Sequence, residues 1–343
     1  MRFRFSPSTV VACVTLSLML IPSTGSTQEV QRRSFAATPS RSVAKKPSPQ
    51  HTNVRYGRWK RNVLDLWIPD SDRPTPWIVF IHGGGFVGGS KETIRSSGDV
   101  GLALDHGIAF ASIHYRFRYP DDDQSDPQRA GLSEILRDAA RAVQYLRHHA
   151  RDYNLDPQRV ACYGTSAGAG TSLWLAVHDD LADPNSLDPV LRESTRISAV
   201  GVINGQFSYD LSKWNAAFSD RKADLMRTHG ERGRLKIHNF LGLTSAEYNG
   251  QAGAKVRRDV DMLGWISGDD PPIVLVTTTA DQEITTKGIY NHHPQHARLI
   301  RDRCRQQGVE VRCFLPQVDA ASAASLRDHP NLMMEFLIDR IKR

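Results

Sequence analysis

Ser166 stands between two glycines in the stretch Gly164–Thr165–Ser166–Ala167–Gly168. The apolar run from Val160 before it predicts a strand, and the run after it, apolar nearly all round, predicts a buried helix. A serine at a sharp strand-to-helix turn has a strained backbone that exposes its Oγ, and flanking glycines remove side chains that would clash there. The N–H groups at the start of the helix favour developing negative charge. This pattern predicts that Ser166 is a nucleophile.

Three consecutive glycines, Gly83, Gly84 and Gly85, follow His82 at the end of an apolar run that begins at Pro76. Without side chains, their backbone can approach a substrate and direct N–H groups at one point. Together with the N–H of Ala167 they predict an oxyanion hole. His82 is expected to hold this loop rather than to act as a base. The two motifs in this order predict acyl transfer.

The remaining elements must bring these motifs together. Strands are predicted at residues 62–69, 76–85, 107–117, 197–205, 271–279 and 309–315, and helices at 132–146, 166–177, 296–307 and 331–343. Continuous apolar strands separated by helices predict an α/β fold with a mostly parallel central sheet covered on both faces. Ligands bind at the carboxyl edge of such sheets.

Residues 206–270 are too long for a plain connection between two strands. They predict a cap inserted between the later strands, over the carboxyl edge of the sheet. Aromatic residues of this segment are candidates either for walls of a substrate pocket or for packing of the cap on the body: Trp214, Phe218, Phe240, Tyr248 and Trp265.

The N-terminus has the pattern of an export signal. Arg2 and Arg4 precede an apolar run from Thr9 to Ile21, and small residues follow. The alternative is a membrane anchor, but this run is short for a hydrocarbon core of ~30 Å. Residues 1–27 are therefore predicted to be a signal peptide, 28–53 a flexible linker rich in Ser, Pro and basic residues, and 54–343 the folded domain. The mature protein is expected to be secreted or periplasmic, without stable membrane insertion.

The formal net charge of +7 belongs to the N-terminus, because residues 1–61 hold eleven Lys or Arg and one acid, Glu29. The body is net acidic, which argues against a nucleic-acid partner. Among the four cysteines, Cys304 and Cys313 lie on a predicted helix and the next strand, so a disulfide between them stays open. No Cys/His spacing is typical of a zinc site, and no metal or organic cofactor is expected.

Residues 55–343 resemble α/β-hydrolases of the hormone-sensitive-lipase-like or carboxylesterase type. The resemblance rests on HGGGFVGGSK, YRFRYP, PPIVLVTTTADQE and the segment RDAARAVQYLRHHARDYNLDPQRVACYGTSAGAG. It implies a Ser–Asp–His triad in that chain order, with Ser166 as the nucleophile. It also implies that Asp281 is the acid, since it follows the strand at 271–279; Glu283 is the reserve candidate.

The histidine departs from the pattern of the family, which places it in a loop soon after the final strand. His329 is the only histidine after that strand and is therefore assigned as the base. His292 and His293 follow Asp281 and are the alternative, although a cap contact or a helix start would also explain them. A third possibility is that no base functions.

The expected function is a secreted serine hydrolase that cleaves small-molecule or carbohydrate esters through an acyl-enzyme. The amides of Gly84, Gly85 and Ala167 would stabilise the oxyanion, and Gly83 could replace one of them. The alternatives are a carbohydrate acetyl or feruloyl esterase and a non-catalytic binding protein of the same fold. A peptidase is less favoured, because no propeller domain precedes the hydrolase.

Overall fold

The computed structural model describes residues 46–118, 129–219 and 237–343. Eight strands form one sheet: β1 His51–Arg55, β2 Val63–Trp67, β3 Thr75–Ile81, β4 Ala109–Ile113, β7 Leu155–Thr165, β8 Ala199–Ile203, β9 Ile273–Val276 and β10 Val311–Phe314. Their order across the sheet is β1-β2-β4-β3-β7-β8-β9-β10. Two short strands, β5 Phe117–Arg118 and β6 Arg129–Ala130, pair separately.

The sheet is parallel from β4 to β10, and β2 runs antiparallel to both of its neighbours. In the register of the central strands, Ile81 pairs with Gly164 and Thr165 pairs with Ile203. The carboxyl ends of β3, β7 and β8 therefore meet at one edge. The loops that leave these strands carry the glycines of residues 83–85, Ser166 and Asn204, so the fold brings both sequence motifs together.

The α-helices with both ends in the described ranges are α1 Asp99–Asp105, α2 Leu132–His148, α3 Ala167–Val177, α4 Trp214–Ala217, α5 Ser245–Asn249, α6 Gln251–Asp259, α7 Met262–Trp265, α8 Lys287–His292, α9 Pro294–Gln307, α10 Ala320–Asp328 and α11 Leu332–Lys342. Within the same described ranges, short 3₁₀ helices lie at Lys91–Ser96, Pro189–Arg192 and Leu211–Lys213.

Side chains alternate along β3, so the sheet has two apolar faces. Val79 and Ile81 belong to a core with Leu136 of α2 and Leu173 of α3. Residues 78 and 80 belong to a second core with residues 100 and 103 of α1 and residue 337 of α11. The predicted mostly parallel sheet with helices on both faces is thus confirmed.

The N-terminal boundary of the body differs from the prediction. Strand β1 begins at His51, inside the predicted linker, and pairs with β2. Trp67 Nε1 donates to the carbonyl of Pro47, and the Gln50 side chain bonds both backbone groups of Ile68. Composition did not predict this because the segment is polar and its strand is exposed at the sheet edge. The predicted signal peptide and the first part of the linker lie outside the described residues.

None of the helices in the described ranges has the length and apolar character needed to cross a membrane. The predicted cap includes α4 to α7, while its residues 220–236 lie outside the described part of the chain. Cys162, Cys304 and Cys313 are free thiols, so the structure contains no Cys304–Cys313 disulfide.

Candidate active site

Ser166 occupies the turn between β7 and α3 with φ 53° and ψ −117°. This left-handed conformation is strained for a residue with a side chain. Both motif glycines are required by space: a Cβ on Gly164 would lie 2.4 Å from the carbonyl oxygen of Ile81, and one on Gly168 would lie 1.9 Å from the same atom. The glycines allow α3 to approach β3 closely, and this approach holds the strained turn in place.

The glycine loop lies against this turn. Gly84 and Gly85 have φ of 116° and 60°, and the carbonyl of Gly84 accepts the N–H groups of Val87 and Gly88. Gly85 lines the cleft above the serine, whereas Gly83 packs against Thr165 and Ser166. Ala167 also lines the cleft and is the first residue of α3, so its N–H has no acceptor within the helix. The structure thus brings Gly83, Gly85 and Ala167, three of the predicted oxyanion-hole residues, to Ser166.

His82 holds the glycine loop, as its position in the sequence predicts. Burial lowers the pKa of His82 to about 4, so the ring is neutral at pH 7 and its Nδ1–H donates to the carbonyl of Gly83 at 2.7 Å. The ring stacks on Tyr115 with centroids 4.3 Å apart, and the Tyr115 hydroxyl donates to the carbonyl of His82. These contacts fix the glycine loop next to Ser166.

The histidine next to Ser166 is His292. Its Nε2 lies 2.8 Å from Ser166 Oγ. His329, the assigned base, lies elsewhere: its side chain is 65% exposed and its Nδ1 lies 3.8 Å from Glu335. The predicted contact between His329 and Ser166 is therefore wrong. The reason is that residues 320–328 after β10 form α10, which carries His329 past the sheet edge into solvent.

His292 is the last residue of helix α8, which places its ring next to Ser166. The C-terminal turn of this helix is held by two side chains that donate to backbone carbonyls: Gln206 Nε2 to Asn291 at 2.8 Å and His296 Nε2 to Tyr290 at 3.0 Å. His292 is partly buried, and this burial lowers its pKa below the ordinary value of 6.5. At neutral pH the ring is thus uncharged, with Nε2 available to accept the serine proton.

Asp281 contacts the next residue along the chain, His293. Asp281 Oδ1 lies 3.2 Å from His293 Nε2, and its Oδ2 lies 2.6 Å from a guanidinium nitrogen of Arg298. The reserve candidate, Glu283, is exposed. Within residues 46–118, 129–219 and 237–343, no carboxylate lies within 4.0 Å of a nitrogen of His292. The structure therefore brings Ser166 to His292 and Asp281 to His293.

A cleft of about 180 Å³ opens above Ser166. Its walls include four aromatic side chains, Phe86, Tyr209, Trp214 and Phe240. Three of the aromatic residues predicted as candidate pocket walls make other contacts: Phe218 packs on Tyr290 and His293, Trp265 packs against His178, and Tyr248 contacts Arg257.

Sequence reasoning did not assign Gln206, which anchors α8, or Arg118 and Lys287, which line the cleft. The only signal in the sequence was their position: Arg118 lies in the YRFRYP stretch, and Lys287 lies in the segment between Asp281 and the two histidines. No group of three His, Cys, Asp or Glu side chains in the described ranges is arranged to hold a metal ion.

The chain is similar in sequence to a known family and to known proteins. Residues 64–289, more than half of the 343, match the family BD-FAE. A probable isoprenylcysteine alpha-carbonyl methylesterase, ICMEL1 of Arabidopsis thaliana, is 27% identical over 157 residues, which cover 46% of this chain and 31% of that protein. The chain thus spans between 22% and 34% of the length of the curated relatives that it matches.

Two solved structures have the same fold. A truncated carbohydrate esterase from gut microbiota has a TM-score of 0.60 at 17% identity, covering 88% of this chain and 99% of its own. Esterase B from Lactobacillus rhamnosis has a TM-score of 0.57 at 18% identity, covering 87% of this chain and 88% of its own. These relatives and neighbours are esterases, and the chain belongs to the BD-FAE family and has the α/β-hydrolase fold.

Proposed function

We propose that this protein hydrolyses carboxylic esters with Ser166 as the nucleophile and His292 as the general base. The observation that carries the proposal is the 2.8 Å contact between Ser166 Oγ and His292 Nε2, next to the glycine loop. A binding protein of this fold would have no use for a neutral imidazole on a strained serine beside a glycine loop. The names of its relatives support the same reaction class.

The reaction follows from these positions. Neutral His292 accepts the Ser166 proton while Oγ attacks the ester carbonyl carbon, and the carbonyl π electrons move to the oxygen. The amides of Gly84, Gly85 and Ala167 stabilise this oxyanion, with Gly83 as the alternative donor. When the tetrahedral intermediate collapses, the C–O bond to the alcohol breaks and the His292 imidazolium protonates the leaving oxygen. Water, deprotonated by His292, then releases the acid and regenerates Ser166.

The cleft favours esters of short acids. Its volume of about 180 Å³ is close to the ~150 Å³ of a cavity that holds one benzene molecule. An acetyl to butyryl group fills such a space, whereas a long chain would have to leave it. The carbohydrate alternative keeps the same acyl site, because an acetylated sugar places only the acetyl group beside Ser166.

A substrate series tests the size of the acyl site. We expect kcat/KM for 4-nitrophenyl esters to be highest between acetate and butyrate, and to fall by at least about tenfold at octanoate, since each displaced methylene forfeits ~0.8 kcal/mol of burial. Acetylated xylan measured in parallel, by acetate release, separates a carbohydrate esterase from an enzyme of small esters. Equal rates from acetate to octanoate would contradict the proposed acyl site.

The pH dependence follows from the lowered pKa of His292. Only the neutral ring can accept the serine proton, so activity is present above its pKa and lost as the pH falls through it. Because burial lowers this pKa, we expect the acid limb of kcat/KM to have its midpoint below 6.5. A profile of kcat/KM for 4-nitrophenyl acetate between pH 4 and 8, corrected for spontaneous hydrolysis, measures it. A midpoint above 6.5 would contradict this state of the base.

We further propose that the protein is exported and that residues 1–27 are removed. The support is the sequence pattern alone: positive charge, an apolar run and small residues. Expression of the full chain in a bacterial host, fractionation, and N-terminal sequencing of the exported form test it. A chain that stays in the cytosol with Met1 intact would contradict export.

A further inference from the structure

We infer that Tyr209 determines which acyl chains the cleft accepts, because its ring closes the inner end of the cleft near Ser166. This inference rests on the proposed function, in which an acyl group is bound above Ser166. It names one side chain as the determinant of acyl length and predicts how a shorter side chain changes the preferred ester.

Tyr209 lies deep in the cleft. It lines the cleft together with Ser166, yet it is only 2% exposed. Other lining residues lie nearer to the solvent, since Phe240 is partly exposed and Lys287 is exposed. Tyr209 therefore belongs to the floor of the cleft and not to its rim. An acyl chain that is long enough to reach this floor meets the tyrosine ring.

The hydroxyl end of Tyr209 contacts α3, the helix that begins next to Ser166. The hydroxyl donates to the carbonyl of Ala167 at 2.9 Å. A Cβ on Gly170, one turn further along α3, would lie 2.0 Å from the hydroxyl oxygen and 2.5 Å from the ring carbon that carries it. The phenol thus occupies the space that a side chain at Gly170 would need. This contact places the ring against the first turn of α3, beside the nucleophile.

Further contacts hold the backbone and the ring of Tyr209 in place. Its N–H donates to the carbonyl of Val260 at 2.9 Å, at the end of α6. Its ring centroid lies 5.3 Å from that of Phe86 and 6.0 Å from that of Phe240. Burial raises the pKa of Tyr209 well above its ordinary value of 10, so the hydroxyl keeps its proton and its bond to Ala167. Because a longer acyl chain could displace the ring only by breaking these contacts, the ring sets a limit on chain length.

Substitutions that shorten Tyr209 test this role, with the ratio of kcat/KM for 4-nitrophenyl octanoate to that for 4-nitrophenyl acetate as the readout. We expect Tyr209→Ala to raise the ratio by at least about tenfold, since each methylene that enters a buried apolar space gains roughly fourfold in binding. Tyr209→Leu keeps a smaller apolar side chain and should raise the ratio less. Tyr209→Phe removes only the hydroxyl, which affects both esters alike, so its ratio should stay within about threefold of wild type.

Tyr248→Ala is the matched control, because Tyr248 is a half-buried tyrosine of the predicted cap that packs on Arg257 and lies outside the residues that line the cleft. We expect it to keep the wild-type ratio.

Failure of the proposed function gives a different result from failure of this inference. If wild type hydrolyses no ester, or shows no preference for short acids, the proposed function or its acyl site fails, and the role of Tyr209 falls with it. If wild type prefers short acids but a folded Tyr209→Ala variant keeps the wild-type ratio, Tyr209 does not set the chain length. An equal rise of the ratio in Tyr248→Ala would also overturn the inference. Melting curves identify a folding defect; if Tyr209→Ala does not fold, the ratio of Tyr209→Leu decides.

Discussion

Ser166→Ala is expected to abolish ester hydrolysis, with kcat reduced by about 10⁴-fold or more. The physical reason is that Ser166 Oγ, at the strained turn between β7 and α3, lies 2.8 Å from His292 Nε2 and next to the glycine loop. The melting temperature should change little, because the substitution keeps Cβ and removes one hydroxyl. Initial rates with 4-nitrophenyl acetate measure the effect.

Ser325→Ala is the matched control for this variant. Ser325 lies on α10 and donates only to the carbonyl of Ala321 within its own helix. We expect wild-type rates from it. Substantial hydrolysis by a folded Ser166→Ala variant would show that another residue carries the reaction and would refute the proposed nucleophile.

His292→Ala is expected to lower kcat by about 10²–10⁴-fold, which is the contribution of a positioned general base. Without the imidazole, the proton of Ser166 has no acceptor, while the oxyanion amides and the cleft remain. KM should therefore change much less than kcat. Added imidazole should restore part of the rate if it can enter the space that the side chain leaves.

His329→Ala makes the matched comparison, because it removes the same side chain from an exposed site on the far end of α10. We expect its kcat to equal that of wild type. The opposite ranking, a large loss in His329→Ala and none in His292→Ala, would restore the assignment from the sequence and contradict the geometry of the site.

The sequence predicted the elements whose own residues indicate whether they are buried. Continuous apolar runs identified the buried strands β3, β4, β8 and β9, and their alternation with helices predicted the parallel sheet. Strand β1 was missed because its residues are polar and exposed, and it is a strand only because β2 offers a free edge. No residue within 51–55 indicates that this segment pairs with β2.

The same distinction applies to the residues of the candidate active site. Ser166 and residues 83–85 were predicted because the local backbone geometry requires glycines around Ser166 and at residues 83–85. These glycines can be seen in the sequence. His292 was only an alternative because its position depends on contacts distant in sequence, such as the bond from Gln206 to the carbonyl of Asn291. His329 was preferred by chain order, but the helix that follows β10 carries it away from the site.

Covalent labelling by a serine-directed fluorophosphonate tests the central claim, that His292 activates Ser166, without knowledge of the natural substrate. Intact-mass spectrometry over time gives the rate, and peptide mapping gives the site. The account predicts one label per chain, on Ser166, at equal rates in wild type and His329→Ala, and a rate lower by at least about 10²-fold in His292→Ala. A label on another residue, or labelling of His292→Ala at the wild-type rate, would contradict it.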